Sequence, residues 1–131
     1  MPSLRLLVPI LLVFVLSACS GGDDAPASAT PPPATDRPEL RAKDLKFDQK
    51  ALAVPPEREI TVTFVNQDSG VLHNLAIYTD KSAKTKIFAS SPFPGVKTET
   101  YRFTSPAPGT YFYRCDVHPY MQGTFFVVAT N

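Results

Sequence analysis

Cys115, His118 and Met121 follow one another at intervals of three residues, just before Gln122 and Gly123, and His73 stands well upstream. The chain holds only two Cys, two His and two Met. Met1 begins the expected leader and Cys19 follows its end, so the other thiol, both imidazoles and the other thioether fall into one candidate constellation. A thiolate, two imidazoles and a more distant thioether make a ligand set for copper electron transfer, with His2Cys roughly trigonal and Met weakly axial. Soft sulfur favours Cu(I) and imidazole accommodates Cu(II), so one rigid cage can serve both states. Zinc also takes Cys and His, but Met is a poor zinc ligand and no fourth Cys, His or carboxylate has comparable spacing. A Cys–His nucleophile pair lacks a recognisable orienting third group, and two His are too few for a multicopper cluster. Taken singly, each residue has a plainer role: His73 structural, Cys115 a buried apolar residue or the disulfide partner of Cys19, Met121 core filler, His118 a polar loop residue.

The elements that would position these residues read as strands. From Leu40 onwards no helical period is sustained, and short apolar–polar alternations run between Pro, Gly and Asp turns. Glu59 to Asn66 places Ile60, Val62 and Phe64 on one face. His73 to Tyr78 places His73, Leu75 and Ile77 together, and Tyr111 to Cys115 places Tyr111, Tyr113 and Cys115 together. Parity therefore predicts that His73 and Cys115 both point into a core near strand ends. Thr98 to Phe103 and Gly123 to Thr130 are further strands, with weaker candidates over Leu40 to Phe47 and Ala51 to Val54. Turns are expected at Asp68-Ser69-Gly70, Phe93-Pro94-Gly95 and Pro106-Ala107-Pro108-Gly109, and a short helical turn over Lys81 to Lys86. Arg114 and Asp116 are expected to be solvated. The fold class is all-β, a two-sheet sandwich of about seven or eight strands.

The stretch from Pro108 to Gly123, with Cys115, His118, Pro119 and Met121 inside it, resembles the C-terminal copper loop of cupredoxins, the type 1 blue copper proteins; its short Cys-to-Met spacing is similar to amicyanin rather than to the longer plastocyanin loop. The pair His73-Asn74 resembles the second signature of the family. The resemblance implies a Greek-key β-sandwich holding one mononuclear copper near one end, with His73, Cys115, His118 and Met121 as ligands. It also implies that Asn74 ties the His73 strand to the Cys115 loop by hydrogen bonds, that electrons leave through the edge of His118, and that no substrate bond changes, so the chain is not an enzyme. An apolar docking patch would ring that edge, with Pro92, Phe93, Pro94, Pro119 and Tyr120 as candidates.

The N-terminus adds an address. Arg5 precedes an apolar run from Leu6 to Leu16 interrupted by Pro9, far short of the roughly 20 residues a spanning helix needs. Residues 1–18 read as an export signal. Leu16-Ser17-Ala18-Cys19 resembles a bacterial lipobox, which would make Cys19 the lipidated mature N-terminus and rule out its pairing with Cys115. Residues 19–38, with Pro31-Pro32-Pro33 and no aromatic side chain, read as a flexible Pro-rich tether. Residues 39–131 would form the copper-binding domain, on the periplasmic or cell-surface side of a bacterial membrane. The chain has 13 Lys+Arg against 12 Asp+Glu, and loss of Arg5 makes the mature counts equal, which argues against a nucleic-acid partner. The expected partners are redox proteins meeting a monomer. A competing function is that of a copper carrier delivering the ion to a membrane oxidase, although such proteins favour exposed Met and His sets that release copper.

Overall fold

The structure, a computed structural model, describes residues 30–129, so the expected signal segment, Cys19 and most of the Pro-rich spacer lie outside the described residues. The first half of the domain forms β1 (Glu39–Lys43), β2 (Lys46–Phe47), β3 (Ala51–Val54), β4 (Glu59–Asn66) and β5 (Leu72–His73). There follow β6 (Ala76–Tyr78), β7 (Lys86–Ala89), β8 (Phe93–Pro94), β9 (Lys97–Thr104), β10 (Gly109–Arg114) and β11 (Gln122–Val127). One sheet has the order β2-β1-β4-β9 and the other β3-β11-β10-β6-β7, while β5 and β8 form a two-stranded ribbon. Both main sheets are mixed, since β1 runs parallel to β4 and β3 parallel to β11. The architecture is the expected all-β sandwich.

Alternation along the strands builds the core. On β4, Ile60, Val62 and Phe64 are all fully buried, and the same face continues to Asn66. They share one apolar cluster with Leu40 and Ala42 from their own sheet and with Val54, Ile77, Tyr113, Phe125 and Val127 from the facing one. Each such aliphatic or Phe side chain stabilises the fold by ~1.5–3 kcal/mol on full burial. Towards one end the cluster turns aromatic. Phe64 meets Phe47 and Phe93 edge-on at centroid distances of 6.1 and 5.6 Å, and Phe47 lies 5.6 Å from Tyr113. Cys115 and Met121 belong to the same cluster.

Several expectations are corrected. Phe93–Pro94 is a strand of the ribbon rather than part of a plain turn, with Gly95 bridging to Ser69, and Phe93, only 9 % exposed, packs into the core instead of joining a surface patch. The predicted continuous strand from His73 to Tyr78 is broken at Asn74 and Leu75, because Asn74 points its polar groups at neighbouring loops. Lys81 to Lys86 forms no helix. Asp80 caps the Ser82 amide at 2.7 Å and Ala83 adopts a left-handed φ of 54°, so the segment closes the hairpin between β6 and β7. Within the tether expected through Pro38, Pro32 and Pro33 already lie against Leu52 and Ala53, and hydrogen bonds to the sandwich run from Thr35 onwards. The Thr35 amide bonds Ala53 O at 3.0 Å, and Asp36 O and Pro38 O accept from Thr61 and Thr63 at 2.8 and 3.0 Å.

Candidate metal centre

His73 ends β5, held by a loop that a buried amide organises. Asn66 is fully buried and donates from Nδ2 to both Val71 O and Phe93 O at 2.9 Å, while its Oδ1 accepts from the Asp68 amide at 3.0 Å. One side chain thus ties the end of β4, the loop after it and β8 together around His73. Gly95 sits against this loop so closely that a Cβ there would come within 2.8 Å of Asn66 Oδ1. Gly70 turns the loop back with a φ of 73°.

The other side of the site comes from the β10–β11 loop. Cys115 follows β10 directly, its amide donating to Met121 O at 2.9 Å, and the Met121 amide donates to His118 O at 2.9 Å. These two bonds fold the loop back on itself. They place His118, half-buried, beside Cys115, and bury Met121 to 2 % exposure at the start of β11. Between them Pro119 and Tyr120 stand out into solvent, the Tyr120 ring 5.9 Å from that of His118.

The two halves converge. Cys115 Sγ lies 3.8 Å from His73 Nδ1 and 3.9 Å from His118 Nδ1, and the two Nδ1 atoms are 3.2 Å apart. All three ligand-capable atoms lie within 4.8 Å of one another, with His73 and Cys115 fully buried. Among the described residues this is the group of His, Cys and carboxylate side chains that could hold a metal ion. A thiol and two imidazole nitrogens facing one point form a donor set that suits a soft transition ion such as copper.

Asn74 bridges the two loops. Its Oδ1 accepts from the Asp116 amide at 2.7 Å, joining the His73 segment to the Cys115 loop, and its Nδ2 donates to Ser90 O at 3.0 Å. Asp116 and Arg114, expected to be solvated, instead form a cluster flanking Cys115. Asp116 Oδ1 accepts from Tyr78 OH at 2.7 Å and from Arg114 Nε at 2.9 Å, and the Arg114 guanidinium lies 5.1 Å from the Tyr78 ring centroid. Burial by itself would raise the Asp116 carboxyl, but the bonds from Tyr78 and Arg114 outweigh it and hold it below 3.8. Burial is also the first cause pushing the Tyr78 phenol up from 10.0, reinforced by Asp116.

A residue that sequence reasoning missed completes the cage. Asp68 Oδ2 lies 2.8 Å from His73 Nε2, on the side of the ring away from Cys115. Only the turn chemistry of Asp68-Ser69-Gly70 was visible in the sequence, because a carboxylate five residues before a His has no characteristic spacing. Burial would raise the Asp68 carboxyl, but the Leu45 amide, the His73 ring and the Asp44 amide together lower it below 3.8.

A family profile described as "Cupredoxin-like domain" matches residues 7–127 of the chain. The chain belongs to the cupredoxin-like family. Auracyanin-A of Chloroflexus aurantiacus is 29 % identical to this cupredoxin over 158 aligned positions, which cover 95 % of this chain and 98 % of that one. The crystal structure of dithionite-reduced auracyanin from Roseiflexus castenholzii superposes with a TM-score of 0.67 at 27 % identity, covering 73 % of this chain and 99 % of that one. Amicyanin in a reduced Cu(I) form reaches a TM-score of 0.53 at 23 % identity, covering 73 % of this chain and 86 % of that one, a likeness of fold alone. A solved auracyanin A, 25 % identical, is described as a "blue" copper protein.

Proposed function

We propose that this cupredoxin is an electron-transfer protein holding one copper ion at His73, Cys115, His118 and Met121, a type 1 site that cycles between Cu(I) and Cu(II). The observation that carries the reading is the meeting of one buried thiol and two imidazole nitrogens within 4.8 Å, on loops cross-tied by backbone hydrogen bonds. Bound copper would supply one-electron redox chemistry and, through the Cys115 thiolate, the charge-transfer colour. The chain's own task is to keep the donors still. Asn66, Asp68, Asn74 and the paired amides of Cys115 and Met121 fix both loops, so little has to move when the charge changes. His73 is sealed, whereas His118 reaches towards solvent beside Tyr120, which supports His118 as the electron's exit.

The exposed apolar residues Leu72, Val117 and Tyr120, next to His73 and His118 in sequence, together with Val96 after β8, support docking of redox protein partners at this end. A small apolar surface suits brief encounters. Export, with the chain held at a membrane by lipidated Cys19, is part of the same proposal. The test is an optical and paramagnetic-resonance spectrum of the protein after addition of Cu(II). An intense charge-transfer band with a narrow copper hyperfine splitting, bleached reversibly by reductant, is expected. Colourless Cu(I) passed freely to an acceptor would instead establish a copper carrier.

A further inference from the structure

We propose that Asp68 is a positioning residue that sets the redox poise of this site through His73, held for that task by the tip of the β1–β2 turn. The inference rests on the copper reading above and gives Asp68 an electronic role beyond the loop bracing assigned to it there. His73 is fully buried and Asp68 Oδ2 lies 2.8 Å from its Nε2. An ionised carboxylate can only accept, so the ring proton sits on Nε2. The lone pair is then on Nδ1, the atom facing Cys115 Sγ at 3.8 Å and His118 Nδ1 at 3.2 Å. Asp68 therefore selects the tautomer that presents a donor to the metal and, by its charge, makes that donor more basic. A more basic imidazole stabilises Cu(II) more than Cu(I), because the interaction grows with the charge of the ion, and this lowers the potential.

A second feature concerns how the carboxylate is gripped. Asp44 and Leu45, the two residues between β1 and β2, have φ of 51° and 57°. Two consecutive left-handed residues make the I′ type of hairpin turn, which normally calls for Asn or Gly; a branched Leu in that conformation is unusual. The turn presents two successive amides to one carboxylate, Asp44 N to Oδ1 at 2.6 Å and Leu45 N to Oδ2 at 3.0 Å. A pair of adjacent backbone N–H groups is a small anion-binding nest. The Asp68 amide is itself fixed by Asn66 Oδ1 at 3.0 Å, and the Asp68 side chain is only 11 % exposed, so water screens its charge weakly. The distant β1–β2 turn is thus wired through Asp68 to a proposed copper ligand.

The experiment compares the copper-loaded parent with Asp68→Asn. Removing a partner of a metal-bound His costs 10–100-fold in metal affinity. If about tenfold of that falls on Cu(II) rather than Cu(I), the potential rises by about 59 mV, the one-electron value of a tenfold change. The variant should keep its colour and its circular dichroism, which a merely structural role for Asp68 would not combine with a shifted potential. A folded, blue Asp68→Asn protein whose potential equals the parent's would overturn the proposal. Should the variant fail to fold, nuclear magnetic resonance of the diamagnetic Cu(I) parent decides. A slowly exchanging His73 Nε2–H proton is expected, and an unprotonated Nε2 would also overturn it. A parent that never turns blue would bring down the copper reading itself, an outcome distinct from both.

Discussion

In the proposed site Cys115 would contribute what no other side chain can, a sulfur ligand whose charge transfer to copper would give the colour. Cys115→Ala is therefore expected to remove the visible charge-transfer band completely, while His73 and His118 still hold the ion weakly. Titration with Cu(II) followed by absorbance and resonance spectra checks this, and a variant that remained blue would refute the ligand assignment. At this scale the sequence was informative because Cys, His and Met are rare in it. With two of each, the spacing of Cys115, His118 and Met121 admitted few readings. Asp68, Asn66 and Asp116 were not legible for the opposite reason. Carboxylates and amides are common on any surface, and these three gain their roles only from loop convergence. Asn66 even carried a hint, a polar residue in register with Ile60, Val62 and Phe64, whose meaning required the positions of Val71 and Phe93.

Strand parity was the most reliable signal among the elements. The faces predicted for β4 and β10 are those that the core uses, because a period of two leaves no freedom once one face is buried. Short elements escaped that logic. β5 and β8, two residues each, pair His73 with Phe93, and no alternation can be read over so short a span; β7, with every residue from Ile87 to Ala89 half-buried, gives no contrast to read. Closest to the site, the start of β11 depends on one glycine. Gly123 lies opposite Tyr113 in the β10–β11 ladder, and a Cβ there would collide with the Tyr113 ring. That ring is pinned in turn, since Tyr113 OH donates to Gln49 O at 2.6 Å. Gly123→Ala should destabilise the protein by about 1–3 kcal/mol through overpacking, read as a lower urea midpoint. Because β11 follows Met121 directly, the variant should also broaden the copper spectrum. Unchanged stability would mean that the ring can move aside and that the glycine is not a structural requirement.

For the whole molecule the question is how an electron reaches the site from outside. The apolar surface beside His118 gives one answer, with Tyr120 61 % exposed and Val117 41 % exposed. Tyr120→Ser should slow electron exchange with the physiological partner by about tenfold, the effect of losing one aromatic anchor worth ~1.4 kcal/mol, and leave the copper spectrum unaltered; stopped-flow reduction measures it. Phe93, part of the expected patch, is unsuitable for such a test, since it packs edge-on against Phe64 in the core. The remaining requirement is proximity. Among the described residues, hydrogen bonding to the sandwich begins at Thr35 and Pro32 and Pro33 already line a cavity with Leu52 and Ala53, so the proposed free spacer after Cys19 comprises residues 20–31. An extended Pro-rich chain of this length would advance ~3.1 Å per residue, which would let the domain reach roughly 37 Å from a lipid at Cys19. Docking would then be a search within a thin shell at the membrane, not through bulk solvent, and a weak apolar patch would suffice. Cys19→Ser should transfer the protein from the detergent phase to the aqueous phase on partitioning and keep its spectrum and potential. Its electron exchange with a soluble mediator should be unchanged, whereas exchange with a membrane-bound partner should fall. Equal partitioning of parent and variant would remove the lipid anchor from the account and leave the copper site untouched.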